Sequence, residues 1–532
     1  MIYMKVFNTT AVCIPSENYM VDISDKLTQI VRLIEQKKYF AINRARQYGK
    51  TTTIMALEDR MGEEYDFIGI DFQDVTDAMF ADESSFSKGM AQVLCDTRDT
   101  MGLSIPADVC EQLSDLAGKD TQVILNDLFR IFDYWCKGSI KPVVLIIDEV
   151  DSATNNQVFL DFLGKLRSCY LKRQKNSRYK TFQSVILVGV TDVKHLKGKI
   201  RPEDEHKENS PWNIAADFTV DMSLSEHGIC DMLGEYDDDY HTGMNRAEIA
   251  KQIREYTNGY PFLVSRICQL LDEQVSKTTG LVDAWTTAGV NEAVKMLLAE
   301  NNTLFQSLTK NLNNCPQLKA SIRSILMEGT CLTWNPDQDD IAQLQMYGLI
   351  RNDNNTVRVA NRIFETRLYN LFLSEEELNM NAFSREGDLA RNQFVQDGKL
   401  NMVMILKGFI RTYTEIYGPV TDRFKEKDGR ELFLLYLKPI INGTGNYYIE
   451  AQTRDQTRTD VIVDYLGQRY VIELKIWRGP RYNAEGERQI SEYLNYFGLT
   501  VGYMLSFSFN RNKESGVKLV HLGDKLLYEG IV

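Results

Sequence analysis

With 532 residues the chain is longer than one hydrophobic core can organise, so roughly two to four domains are expected. Its 43% hydrophobic and 25% charged residues exclude fibrous and disordered classes, and the net charge of -13 excludes a surface coated in nucleic acid, leaving only local basic patches. Nine cysteines without a C-x-x-C pair and five isolated histidines argue against a zinc framework or a histidine-based hydrolase triad.

The first residues, "MIYMKVFNTT", lack the apolar region of a signal peptide, and the longest apolar runs, "PVVLII" and "VILVGV", fall far short of a membrane span. No membrane partner is expected, and the expected location is cytoplasmic. From about 20 to 220, the β-branched runs "YFAINR", "YDFIGIDF", "PVVLIIDEV" and "SVILVGVTDV" are separated by stretches long enough for crossover helices. That alternation predicts an α/β domain built on a parallel sheet with buried strands. Within it, "KLRSCYLKRQKNSRYK" (Lys165 to Lys180) holds seven basic residues and no acidic one. It reads first as a solvated helix face, with a phosphate-backbone contact surface as the alternative.

From 225 to 300 apolar residues recur at three and four spacings, predicting helices only, broken at "NGYP" by Gly259 and Pro261. Between 301 and 375, helices precede "YGLIRNDNNTVRVANRIFETRLY", in which "RNDNNT" predicts a hairpin turn, so a winged-helix-like module is expected. The acidic stretch across 376–390 reads as a linker. From 391 to 532, long helical patterns precede strands, a further helix and a last strand.

Two stretches carry chemistry. In "FAINRARQYGKTTTI", Gly49, Lys50 and Thr51 keep the register of a phosphate loop, G-x-x-x-x-G-K-[ST], while Arg44 stands where the first glycine belongs. A strand precedes the loop and a helix follows it. Backbone N–H groups at that helix start make an anion site, within reach of Lys50 for outer phosphates, with a Thr51 hydroxyl for magnesium. About a hundred residues on, "VVLIIDEVD" is a buried strand ending in Asp148 and Glu149, one carboxylate suited to a metal-bound water and the next to polarising an attacking water. "SVILVGVTDV" brings Thr191 or Asp192 to the same sheet edge, where either could sense a terminal phosphate.

These segments, with "SENYMVDISDKLTQI", "SPWNIAADF" and "YTNGYPFLVSR", resemble the AAA-ATPase-like domain family of bacterial proteins, related in appearance to archaeal-type and STAND-type P-loop ATPases. The resemblance covers about the first 375 residues. It implies a P-loop ATPase core over 1–224, a helical lid over 225–300 and the winged-helix-like module over 301–375. It also implies ATP and Mg2+ as cofactors, with Arg44, Arg46, Gly49, Lys50, Thr51, Thr52, Asp148 and Thr191 around the nucleotide and Glu149 as the catalytic carboxylate. Members commonly replace the first glycine within a basic R-x-R segment, which Arg44 and Arg46 match.

The second stretch is "RTDVIVDYLGQRYVIELKIWRG". If Gly467 and Gln468 form a two-residue turn, Leu466 pairs with Arg469 and Asp460 lies opposite Lys475, with Glu473 its diagonal neighbour on one face. Asp460, Glu473 and the carbonyl of Leu474 could then hold magnesium while Lys475 orients or activates water, an arrangement suited to phosphodiester hydrolysis. A surface ion-pair patch is the alternative, weakened by the apolar character of both strands. Asp464 reads as a rim residue, and Trp477, Arg478 and Arg481 as phosphate or base contacts or plain packing; Glu450 lies in the same region.

The spacing D-x(12)-E-x-K resembles the PD-(D/E)xK nuclease superfamily over about the last 145 residues. That resemblance implies a restriction-endonuclease-like α/β domain over 391–532, with Glu431 from a preceding helix as a further metal ligand and Gln489 and Tyr493 matching a Q-x-x-x-Y element. Thr459 stands where a proline is usual. Together the stretches predict an ATP-controlled, magnesium-dependent nuclease acting on nucleic acid, DNA first. The alternative is a nucleotide-switch scaffold that binds a nucleic acid or a partner without cutting. The sequence leaves homo-oligomers open.

Overall fold

The computed structural model describes residues 5–532 except 11, 74, 102–104, 191–211, 329, 378–380, 397, 419–425, 442–444, 452–458, 466–467, 478–486, 489, 492–493, 496–497 and 509–513. Side chains at 99–101, 328, 376–377, 381–384, 390–392, 426–427, 445–451, 459–460 and 477 also lie outside the description. The chain divides into two compact units, one of Thr10–Ser223 with Met346–Gly348, the other of Met1–Thr9, Leu224–Gln345 and Leu349–Val532.

The first unit runs α1 (Ser24–Glu35), β1 (Phe40–Asn43), α2 (Lys50–Met61), β2 (Asp66–Asp71), α3 (Glu83–Met101), α4 (Ala107–Ala117), α5 (Leu125–Gly138), β3 (Val143–Asp148), α6 (Gln157–Lys175) and β4 (Ser184–Gly189). All four expected strands form and pair in parallel in the order β1-β4-β3-β2. Alternate strand residues feed opposite cores. Ile68, Ile70, Leu145, Ile147, Val185 and Leu187 meet Phe86, Phe129, Phe159 and Phe162 on one side. Phe67, Val144, Ile146, Ile186 and Val188 meet Leu27, Ile30, Ile34 and Leu57 on the other. This two-sided burial is why the strands read as unbroken apolar runs. The register brings Asn43 level with Gly189, and Asp71 level with Asp148, at the carboxyl edge of the sheet. Beyond β1, Ala216 makes a parallel bridge to Phe40 and donates its N–H to the Tyr39 carbonyl at 2.8 Å.

The second unit is helical first: α7 (Glu226–Tyr240), α8 (Arg246–Thr257), α9 (Pro261–Leu270), α10 (Thr287–Ala299), α11 (Thr303–Asn314), α12 (Pro316–Glu328) and α13 (Asp339–Met346). Asn258 and Gly259 turn the chain with φ 49° and 70° before Pro261 starts α9. A Cβ on Gly259 would stand 2.1 Å from the Leu224 carbonyl oxygen, so the turn requires glycine. Phe7 packs into the ring cluster of Tyr236 and Trp285. Strands β5 (Ile350–Asp353) and β6 (Thr356–Val359) form the expected hairpin, its two-residue turn made by Asn354 and Asn355 with φ 49° and 67°.

After α14 (Arg362–Glu377), the stretch expected to be a linker is instead α15 (Asn381–Phe394). Its Gly387 sits so close to α17 (Glu426–Ile441) that a Cβ would lie 2.2 Å from the Tyr436 carbonyl oxygen. The acids that suggested a linker fall at the end of α14 and within α15, where Asp388 is exposed. Short strands β7 (Val395–Gln396) and β8 (Lys399–Leu400) and helix α16 (Met402–Tyr417) follow α15, with α17 leading into the sheet.

That sheet comprises β9 (Gly445–Ala451), β10 (Thr459–Tyr465), β11 (Gln468–Trp477), β12 (Val501–Ser508), β13 (Gly516–Leu522) and β14 (Lys525–Ile531), in the order β13-β14-β12-β11-β10-β9. β9, β10 and β11 are antiparallel neighbours, whereas β11, β12 and β14 are parallel. One face packs on α16 and α17, where Phe409 and Tyr413 meet Phe507 and Gly429 leaves room for the Phe507 ring. On the opposite face Ile462, Val471, Met504 and Leu527 cluster with Ile490 and Leu494.

Candidate functional site

At the first site, Gly49 takes a left-handed conformation (φ 78°) immediately before α2, the backbone a phosphate loop requires at its last glycine. Lys50 is buried, its ammonium donating to the carbonyls of Arg44 at 3.1 Å and Ala45 at 3.2 Å. The start of α2 and the end of β3 come together at this edge, where the carboxylates of Asp148 and Glu149 lie within charge reach of Lys50. Burial raises the Asp148 pKa, as does neighbouring Asp71, against opposing interactions with the Glu149 N–H, Lys50 and Thr51. Burial likewise raises Glu149 while Lys50 draws it down, and burial depresses Lys50 against the pull of Glu149, Asp151 and Asp148. Two carboxylates at a buried strand end thus share one ammonium, an electrostatic deficit that a divalent cation would fill.

The arginines divide. Arg46 is exposed and lies within charge reach of Lys50 and Glu149. Arg44 turns the other way, donating to the Asn43 carbonyl at 2.8 Å and the Val220 carbonyl at 2.6 Å, with its guanidinium 5.0 Å over the Phe218 ring. The Thr52 hydroxyl accepts the Cys13 N–H at 3.3 Å, tying the preceding segment to the loop helix. Asp151 was not singled out by the sequence, yet its carboxylate accepts the Val190 N–H at 2.7 Å and so pins the end of β4. The only hint was a third acid in "DEVD". Thr191 and Asp192 lie outside the described residues.

In the basic stretch of α6, Arg173 is absorbed structurally, donating to the carbonyls of Phe182, Gln183 and Lys37 beneath the rings of Tyr39 and Tyr170. Lys172, Lys175, Arg178 and Lys180 remain exposed, the solvated face of the first reading.

At the second site the hairpin register corrects the expected one. Tyr465 pairs with Gln468 and Val461 with Ile472, a register two residues away from the expected one. Continued one step, the register sets Asp460 opposite Glu473, with Lys475 as the diagonal neighbour. The two-residue shift preserves the strand parity expected for Asp460, Glu473 and Lys475, and Glu450 of β9 registers with Asp460. Glu473 and Lys475 are each 1% exposed and form an ion pair at 3.5 Å.

The same face continues across the parallel strands, because Lys475 registers with Ser506, and Met504 with Glu529. Fully buried Glu529 accepts the Ser506 hydroxyl at 3.0 Å and pairs with Lys518 at 2.8 Å. No local pattern could reveal Ser506 or Glu529, since parallel pairing across a crossover leaves no signature in either strand.

Glu431 is held by Arg323 of α12 at 3.0 Å, and Asp464 by Arg469 at 3.0 Å. The side chains of Asp460, Glu450 and Trp477 lie outside the described residues, as do Arg478, Arg481, Gln489 and Tyr493 entirely. Among the described residues, no group of three or more His, Cys, Asp or Glu could hold a metal ion, and no helix is long and apolar enough to cross a membrane.

A parallel sheet whose first strand leads through a left-handed glycine into a Lys-Thr helix, with an aspartate ending a buried strand of the same sheet, defines a P-loop domain of the ATPase class. Residues 11–374 match the AAA-like domain family, and the chain belongs to it. An uncharacterized WD repeat-containing protein of Synechocystis sp. is 26% identical over 255 residues, 45% of this chain and 20% of that one. The chain therefore spans about a fifth of that relative's length. Among solved structures, the Walker-type ATPase PABY2304 of Pyrococcus abyssi aligns over 68% of this chain and 99% of its own at 12% identity and a TM-score of 0.46. The Aeropyrum pernix ORC2 protein aligns over 70% and 98% at 11% identity and a TM-score of 0.40. These scores describe a shared outline only.

Proposed function

We propose that the chain binds and hydrolyses ATP at the first site and uses the second for magnesium-dependent cleavage of phosphodiester bonds in nucleic acid, DNA in the first instance. The first half is carried by left-handed Gly49 and by Lys50, within charge reach of Asp148 and Glu149, an arrangement that sets two groups at one sheet edge, the Thr51 hydroxyl and the Asp148 carboxylate. Those two groups would hold magnesium, Lys50 and the loop N–H groups would take the phosphates with Arg46 beside them, and Glu149 would orient the attacking water. Magnesium, when bound, supplies charge neutralisation at the phosphates.

The second half rests on the buried Glu473–Lys475 pair and on the β10–β11 register, which, extended one pair beyond Val461 and Ile472, brings Asp460 level with Glu473. Asp460, Glu473 and the Leu474 carbonyl would hold the metal, and Lys475 would orient water or the scissile phosphate. The ion pair linking Arg323 to Glu431 favours a structural role for Glu431 over metal binding. Burial of Glu473 and Lys475 supports a second reading, in which the C-terminal sheet binds nucleic acid or a partner without cutting while ATP acts as a switch.

Nucleotide affinity and ATP turnover in wild type, Lys50→Ala and Glu149→Gln separate the halves. The expected outcome is loss of binding by at least about 100-fold in Lys50→Ala, and retained binding with turnover slowed by at least about 100-fold in Glu149→Gln. Tight binding with negligible turnover in wild type would favour the switch, and no binding in wild type would remove the nucleotide reading.

A further inference from the structure

Arg44 occupies the position of the missing loop glycine, and the structure shows what its side chain does there. The guanidinium bridges two carbonyls, Asn43 at the end of β1 and Val220 on the segment beyond it, and lies over Phe218. Phe218 in turn stacks on Phe40 of β1, with ring centroids 6.0 Å apart and planes at 5°. The Arg44 N–H is spent on Gly189 at 3.1 Å and its carbonyl accepts Lys50. Its side-chain contacts and its N–H thus join the phosphate loop to β1, to β4 and to residues 216–223, while its carbonyl holds Lys50 within the loop. That segment is itself fixed along β1 and α1, by the Phe40–Ala216 bridge, by Val220 and Met222 in the core with Phe40 and Ile42, and by Lys26, which donates to the Ser223 carbonyl at 2.5 Å. Ser223 is the residue at which the chain leaves the nucleotide unit.

We propose that Arg44 is a positioning strut rather than a phosphate ligand: it couples the conformation of the phosphate loop to residues 216–223, the stretch on which the chain leaves the nucleotide unit. A glycine here could frame the loop but could not reach Val220. A lysine could reach one carbonyl but could neither bridge two nor lie flat on Phe218. Arg46, which is exposed, is the loop arginine within charge reach of Lys50 and Glu149. The inference rests on the nucleotide-binding reading for its function, though its structural half does not.

The test is hydrogen exchange over residues 216–224, with and without ATP, in wild type, Arg44→Ala, Arg44→Lys and Phe218→Leu, alongside nucleotide affinity. The strut predicts that Arg44→Ala keeps ATP affinity within about 3-fold of wild type, while exchange in 216–224 quickens by at least about 10-fold and stops responding to ATP. Phe218→Leu should show a smaller change of the same kind, and Arg44→Lys an intermediate one that guards against misfolding of the alanine variant. A loss of ATP affinity beyond about 30-fold in Arg44→Ala, with exchange in 216–224 unchanged, would make Arg44 a phosphate ligand and overturn the proposal. If wild type binds no nucleotide, the functional reading falls, yet exchange in the nucleotide-free variants still decides whether the strut exists.

Discussion

Glu58 illustrates how burial alone sets a pH response. It faces inward from α2 near Gly69 of β2, and burial, helped by adjacent Asp59, pushes its carboxyl up to about 7. Between its ordinary value of 4.5 and about 7, the folded chain holds a proton that the unfolded chain has released. Its contribution is therefore fully present below 4.5 and is lost as pH rises through 7. Glu58→Gln keeps the shape without the charge, so denaturation of the nucleotide unit should be unchanged at pH 4 and shifted toward higher stability at pH 8, by roughly 1–3 kcal/mol. Equal stability of the two proteins at pH 8 would show that Glu58 is solvated. Asp151 belongs to the same level of detail. Asp151→Asn should weaken the hold on Val190 and slow ATP turnover by about 10-fold with little change in nucleotide affinity, and a pure affinity loss would place Asp151 at the phosphates instead.

Secondary elements differed in how plainly they could be read. The four parallel strands were legible because burial on both faces removes every polar interruption, and the loop into α2 was legible because its backbone demands Gly49 at positive φ. The β10–β11 hairpin was found, but its register differs by two residues from the expected one, since alternation fixes parity without fixing register. Helix α15 was missed because the acidic run Glu375–Glu377 just before it suggested a linker, and its close approach to α17 depends on Gly387, which has no side chain to clash. Glycine in a helix is ordinarily worse than alanine. Here the order should invert, with Gly387→Ala lowering stability by about 1–3 kcal/mol through the clash with the Tyr436 carbonyl, measured as a drop in melting temperature. A neutral or stabilising alanine would mean α15 is loosely docked.

Across the molecule, the two candidate sites were legible to different depths. The P-loop pair declares itself through local spacing on strands that end at one sheet edge. In the C-terminal sheet the sequence exposed only the antiparallel half, Asp460, Glu473 and Lys475. Ser506, Glu529 and Lys518 join that face through parallel pairing and a return strand, which no linear pattern encodes. The buried Glu473–Lys475 pair gives a stability prediction independent of catalysis. Removing either partner leaves a buried charge and should cost about 3–5 kcal/mol, whereas Glu473→Gln with Lys475→Met together should cost much less. Additive losses in the double variant would show that the pair is solvated.

The most direct test of the account is cleavage of nucleic acid. Purified protein would be incubated with magnesium or manganese and with double-stranded, single-stranded and branched DNA and the matching RNAs, with and without ATP, alongside Asp460→Asn and Lys475→Met whose folding is checked by melting. The account predicts metal-dependent cutting of at least one DNA form, altered by ATP, lost in both C-terminal variants and deprived of its ATP response in Lys50→Ala. No cutting of any substrate under any nucleotide condition, or cutting that persists unchanged in folded Asp460→Asn and Lys475→Met, would contradict it.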